Sequence, residues 1–161
     1  MSKKAKLVLG FLPMLAVCIT IFWFSSNVAE DSSEQSSVIV DYIESDVFPD
    51  LGRMETPSDQ KKVDDTISHI VRKAAHFSVY TLLGICAFAA FWFIKKKHFR
   101  CLAAWGSAAL YAASDEFHQH FVPGRSCEFK DVMIDSCGAL LGVGLCLAAV
   151  IIISAVRKRK K

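Results

Sequence analysis

A subset of the ionisable residues of this chain recurs at helical spacing within or beside segments that are otherwise apolar. Three stripes run at intervals of three or four residues: Lys73, His76, Tyr80 and Gly84; Ala108, Ala112, Asp115 and Gln119, with Glu116 one residue round; and Asp131, Asp135, Gly138 and Gly142. Residues at these intervals share one face of a helix. Each stripe is polar at one end and small further along, and small residues let helices approach closely. We therefore expect the stripes to face one another and their polar ends to converge.

The converging ends would form a mixed cluster of cations and carboxylates. Val122-Pro123-Gly124 ends the third helix and reverses the chain, which leaves Arg125 at the mouth of the cluster. The planar guanidinium of Arg125 could bind a carboxylate or a phosphate there. The candidate ligand-binding residues are Arg72, Lys73, His76, Tyr80, Asp115, Glu116, Gln119, Arg125, Asp131 and Asp135.

Three interpretations of this cluster remain open from the residues alone. It could bind an anionic amphiphile, such as a lipid phosphate, a peptide carboxylate or a cell-wall precursor. It could be an active site in which His76, with Asp115 or Glu116, performs acid–base chemistry. It could also serve only to hold the helices together through polar contacts. His, Asp and Glu can bind metals, but we assign no metal ligand and no cofactor, and the sequence contains no recognised catalytic motif.

Four long apolar runs indicate an integral membrane protein. The composition is 53% apolar and 22% charged, and the apolar residues concentrate in about 7–24, 77–94, 102–121 and 132–156. A helix needs about 20 apolar residues to cross the hydrocarbon core, and its backbone satisfies its own hydrogen bonds there. The sequence predicts an all-α bundle of four transmembrane helices in a single domain over 1–161.

The distribution of charge predicts how the chain sits in the membrane. Basic residues cluster at three places: Lys3, Lys4 and Lys6; Lys95, Lys96, Lys97 and Arg100; and Arg157, Lys158, Arg159, Lys160 and Lys161. These twelve of the 19 basic residues fall on one side of the predicted bundle, and all 16 acidic residues fall on the other. Basic loops stay in the cytoplasm, so we expect both termini there and a multi-pass protein of the cell membrane. The net charge of +3 follows from this arrangement and does not indicate a nucleic-acid partner.

The segment between the first two runs, residues 25–71, is expected to lie outside and to be partly helical. Apolar residues recur among acids within 37–48, a pattern typical of a short amphipathic helix at a membrane surface. Thr56-Pro57-Ser58-Asp59 has the features of a helix start, with a hydroxyl cap and a proline in the first turn. This second helix is expected to continue directly into the second apolar run.

Three ordered signatures in the chain resemble those of the VanZ-like family. They are Arg72-Lys73-Ala74-Ala75-His76-Phe77-x-x-Tyr80-x-x-Leu83-Gly84; Ser114-Asp115-Glu116-Phe117-His118-Gln119-His120-Phe121-Val122-Pro123-Gly124-Arg125; and Asp131-Val132-x-x-Asp135-x-x-Gly138-Ala139-x-x-Gly142. The family is named for a protein linked to teicoplanin resistance. The resemblance implies a small membrane protein of the bacterial cell envelope, with glycopeptide resistance as one option, and it supplies no reaction.

Overall fold

The computed structural model describes residues 3–26, 57–123 and 128–159. Within these ranges the chain forms four α-helices: α1 (Lys3–Ser25), α2 (Pro57–Ala90), α3 (Lys97–Gln119) and α4 (Phe129–Arg159). A short 3₁₀ helix, Phe91–Phe93, follows α2 directly. The described residues contain no strand, so the predicted all-helical class is confirmed.

Three of the four helices are long and apolar enough to cross a membrane. The apolar stretches lie at Val8–Ser25 in α1, Lys61–Phe93 in α2 and its 3₁₀ extension, and Phe129–Arg159 in α4. The remaining helix, α3, is 23 residues long but less apolar, because its last turns hold Asp115, Glu116 and Gln119. Three of the four predicted spans therefore have the expected length and composition.

The start of α2 agrees with the prediction from the sequence, whereas the start of α3 differs from it. Helix α2 begins at Pro57, as the Thr56-Pro57 helix start predicts, and continues without a break to Ala90. Residues 37–48, the predicted surface helix, lie outside the described residues. Helix α3 begins at Lys97 rather than at Leu102, so part of the expected basic loop is helical.

Arg100 explains why the link between α2 and α3 is so short. Its guanidinium is buried and donates hydrogen bonds to the Ile94 and Trp92 carbonyl oxygens, at 2.7 and 3.1 Å. The guanidinium carbon lies 4.2 Å from the centre of the Trp92 ring and 5.4 Å from that of Phe88. These contacts satisfy carbonyl groups that the end of a helix leaves free.

Helices α2 and α4 form the most extensive contact of the bundle. A Cβ atom on Gly84 would overlap the Ala139 carbonyl oxygen, and one on Gly142 would overlap that of Thr81. A Cβ atom on Gly138 would lie 2.5 Å from the Phe77 carbonyl oxygen. The two backbones approach so closely that only glycine fits, which confirms that the predicted stripes on α2 and α4 face each other.

Small residues of the stripes also form the core beside this contact. Ala108 and Ala112 of α3 and Ala139 of α4 are buried in one cluster with Tyr80 and Ile21. A second buried cluster lies towards the link between α2 and α3 and contains Ala87, Phe88, Ala104 and Val143. The predicted convergence of three stripes therefore extends to α3, and α1 packs against the same core.

Candidate functional site

The polar residues of the stripes collect at one end of the bundle. This is where α1 and α3 end, α4 begins and α2 passes through. We call it the polar end, and define it by Ser25 of α1, Lys73 and His76 of α2, Asp115 and Glu116 of α3, and Asp131 and Asp135 of α4. All four helices therefore contribute to one cluster.

Asp115 accepts hydrogen bonds from two helices at the polar end. The hydroxyl of Ser25, the last residue of α1, donates to Asp115 Oδ2 at 2.8 Å. The side-chain amide of Gln119 donates to the same oxygen at 3.0 Å, and its nitrogen lies 3.4 Å from Ser25 Oγ. All three side chains are buried. Asp115 Oδ1, in contrast, has no hydrogen-bond partner among the described residues.

Tyr80 lies beside this carboxylate on α2. Its side chain is fully buried, and its hydroxyl makes no hydrogen bond of ordinary geometry within the described part of the chain. Asp115 and Asp135 both interact with the hydroxyl electrostatically, and Asp115 lies near enough to accept a weak hydrogen bond from it. The ring stacks against that of His76, with 6.5 Å between the ring centres and 20° between the planes.

One ion pair and one histidine–carboxylate contact connect α2 to the start of α4. Lys73 Nζ pairs with Asp131 Oδ1 in the first turn of α4. About one turn deeper, His76 Nδ1 lies 3.7 Å from Asp135 Oδ2. The carboxylate paired with His76 is thus Asp135, whereas Asp115 is engaged by Ser25 and Gln119. Arg72, adjacent to Lys73 on α2, is half-buried.

Glu116 ties the end of α3 to the start of α4. Its Oε1 accepts a hydrogen bond from the Glu128 backbone N–H at 2.7 Å, one residue before α4 begins. Such a carboxylate satisfies a donor at a helix start and lies favourably near the positive end of the helix dipole. Lys73 and Asp135 lie within electrostatic range of Glu116, so the stripes converge as predicted. Arg125 lies outside the described residues.

Comparison with known proteins identifies the family. A family model described as VanZ/LLP1 matches residues 11–153, which is most of the chain. The chain belongs to the VanZ/LLP1 family. No curated protein and no solved structure matches it. The three signatures lie within the matched range, so the resemblance drawn from them is confirmed.

The α1 contribution to the VanZ/LLP1 site was not predicted from the sequence. Ser25 binds Asp115, while Ser26 Oγ lies 3.2 Å from His118 Nε2. The His118 ring stacks on Phe22, with ring centres 4.7 Å apart. The available signal was the run Phe22-Trp23-Phe24-Ser25-Ser26, at the point where the first helix should end, to which the VanZ-like resemblance extends loosely.

The chemistry available to this VanZ/LLP1 cluster is that of charged and hydrogen-bonding groups. No three His, Cys, Asp or Glu side chains in the described ranges are grouped so that they could hold a metal ion together. The cluster instead offers a lysine and a histidine to an anion, and buried carboxylates to a cation or donor. Both kinds of contact are strong where water is excluded.

Proposed function

We propose that this VanZ/LLP1 protein binds an anionic amphiphile of the bacterial cell envelope at the polar end. The ligand would be an anionic lipid, a cell-wall precursor or a glycopeptide-related molecule. The observation that carries the proposal is the meeting of ionisable side chains from α2, α3 and α4, together with Ser25 of α1, at one end of an apolar bundle. Ionisable groups in apolar surroundings are costly, and their concentration at one place is typical of a functional site.

We further propose that α3 crosses the membrane, which gives four spans with both termini in the cytoplasm. The outward face of α3 supports this, because Leu102, Leu110 and Phe117 are exposed in the isolated bundle. The polar residues Asp115 and Glu116 point inward and are buried. The mean hydropathy of α3 combines its two faces and therefore hides this division. An apolar outer face and a polar inner face are typical of a helix with one side against lipid. The polar end would then lie at the outer leaflet, by the positive-inside rule.

Cysteine labelling tests this arrangement. Single cysteines placed at Lys61, Lys96, Glu128 and Lys158, in a chain cleared of its six native cysteines, should react differently with an impermeant thiol reagent. In intact cells we expect labelling at 61 and 128 and none at 96 and 158. All four positions should react after the membrane is permeabilised.

The two sides of α3 make this test decisive. If α3 does not cross, residues 96 and 128 lie on the same side and label alike. If the whole bundle is inverted, 96 and 158 label in intact cells while 61 and 128 do not. Either pattern would overturn the proposed arrangement.

Ligand capture tests the binding function. Purified protein is incubated with a total envelope lipid extract and with lipid-linked cell-wall precursors, washed, and analysed by native mass spectrometry. We expect a retained anionic amphiphile, and we expect Lys73→Gln to reduce its retention about tenfold, the loss of roughly one charge-assisted contact. Lys96→Gln is the matched control, because Lys96 is exposed at the other end of the bundle.

Two results would contradict the binding proposal. Retention unaffected by Lys73→Gln would show that the ligand does not use the polar end. A product of altered mass, formed only by protein with an intact His76, would show an enzyme.

A membrane-embedded hydrolase or transferase acting on a lipid-linked substrate is the second candidate function. The observation that favours it is the 3.7 Å approach of His76 Nδ1 to Asp135 Oδ2, the arrangement of a base and the carboxylate that orients it. Asp135 is the better partner for His76, because one Asp115 oxygen accepts from Ser25 and Gln119, and Glu116 accepts from the Glu128 N–H. A role in teicoplanin resistance, which the family name suggests, would require that the bound ligand be shared with that antibiotic.

A further inference from the structure

Charges at the polar end are arranged by depth. Three of its carboxylates are deeply buried, with Asp115, Glu116 and Asp135 only 3%, 4% and 4% exposed. Lys73, His76 and Asp131 lie nearer the surface, since their side chains are 25%, 26% and 20% exposed. A ligand that enters from the surface therefore meets Lys73, His76 and Asp131 first and a level of carboxylates deeper. An anion alone matches only the first of these two levels.

Two buried atoms at the deeper level lack a hydrogen bond of ordinary geometry. They are Asp115 Oδ1 on α3 and the Tyr80 hydroxyl on α2; the hydroxyl lies near the Asp115 carboxylate, but neither atom makes a well-formed hydrogen bond among the described residues. Leaving such a buried group poorly paired is costly. Asp135 of α4 interacts electrostatically with both side chains. Oxygen-bearing side chains from three helices thus lie near one place, within electrostatic range of one another.

The donors nearest to this place are already engaged. Ser25 and Gln119 donate to the other oxygen of Asp115. Lys73 pairs with Asp131, and His76 lies against Asp135. The partner that this place lacks is a small positively charged group with several N–H donors. A primary ammonium has three such donors and one positive charge.

We propose that the ligand carries a primary amine as well as its anionic group, and that the ammonium binds between Asp115, Tyr80 and Asp135. The proposal deepens the binding function above and rests on it. The anionic group remains at Lys73, nearer the surface. The partly exposed His76 ring stacks on that of Tyr80 and contacts Asp135, so it lies beside both levels. The ligand class is therefore an envelope amphiphile with an anion and an amine a few bonds apart.

Headgroup competition tests the proposal on the full-length protein. The probe is an equimolar mixture of phosphatidylethanolamine, its N-acetylated form, phosphatidylcholine and phosphatidylglycerol, and retained lipid is read by native mass spectrometry. Phosphatidylethanolamine alone combines an anion with N–H donors on a cation. We expect it to be retained about tenfold over its N-acetylated form and over phosphatidylcholine, as for a charge-assisted hydrogen bond in a buried place.

Substitutions at the deeper level should remove this preference. Asp115→Asn should bring phosphatidylethanolamine to the level of the N-acetylated lipid, whereas Asp65→Asn, an exposed acid on α2, should leave the preference unchanged. Tyr80→Phe removes only the poorly paired hydroxyl and should reduce the preference several-fold. Tyr80→Phe provides the test of this preference if Asp115→Asn does not fold.

The possible outcomes separate this inference from the binding function. Wild-type protein could retain the N-acetylated lipid or phosphatidylglycerol as well as it retains phosphatidylethanolamine. If Lys73→Gln then weakens the retention of all three lipids, the amine site is wrong and the proposal of anion binding stands. If Lys73→Gln changes nothing, both proposals fail. If the preference for phosphatidylethanolamine survives both Asp115→Asn and Tyr80→Phe, the amine binds elsewhere and the inference is overturned.

Discussion

Gly142→Ala is expected to lower the yield of folded protein sharply and to destabilise what remains by about 3 kcal/mol or more. The added methyl group would overlap the Thr81 carbonyl oxygen and press on the backbone nitrogen of Ile85. Neither neighbour is a side chain that can rotate away, so α4 must shift from α2. That shift would also loosen the neighbouring contact at Gly138. Size-exclusion recovery and the thermal unfolding midpoint in detergent measure the effect.

Gly144→Ala is the matched control for this substitution. It adds the same methyl group two residues further along α4, where no atom outside the helix's own nearby backbone lies within 4 Å of the new carbon. We expect it to be neutral or slightly stabilising, because alanine is the better helix former. Equal midpoints for the two variants would mean that α2 and α4 are not in the close contact described.

Arg100→Ala is expected to cost about 2–4 kcal/mol, because it leaves two carbonyl groups without their charged donor. Trp92 and Ile94 supply those carbonyls at the point where the chain turns from α2 into α3. The stacking of the guanidinium on Trp92 is lost as well. Thermal unfolding of the purified protein measures this cost.

Two companion variants of Arg100→Ala separate geometry from charge. Lys97→Ala removes one positive charge from the same region. Because Lys97 is exposed, the thermal unfolding midpoint of this variant should stay near that of the wild type. Arg100→Lys keeps the charge and loses the planar fork, so it should be destabilised almost as much as the alanine variant. A stable Arg100→Lys protein would show that charge alone holds the turn.

The sequence predicted the features of the site that repeat along a helix. Lys73, His76 and Tyr80 fall at helical intervals, and Gly138 and Gly142 repeat the close-packing spacing, so a common face follows from helix geometry. The start of α2 at Pro57 was predictable for a different reason, because proline suits the first turn of a helix.

Features that depend on single long-range contacts were beyond the sequence. Ser25 meets Asp115 across 90 positions, and one serine after an apolar run carries no periodic signal. Arg100 was counted with the basic loop, since nothing in its neighbours indicates that it folds back onto Trp92. The partner of His76 was undetermined because several carboxylates fall within reach of the same face, and the fold selects Asp135.

The unbroken course of α2 gives the site a mechanical connection to the water phase. A helix of 34 residues is about 51 Å long, whereas a hydrocarbon core is about 30 Å thick. An upright α2 would therefore extend roughly 20 Å beyond the apolar layer. Lys73 and His76 lie on the same rigid rod as that protruding part. Because α2 has no break, a tilt or rotation of its protruding part will also move the side chains of Lys73 and His76.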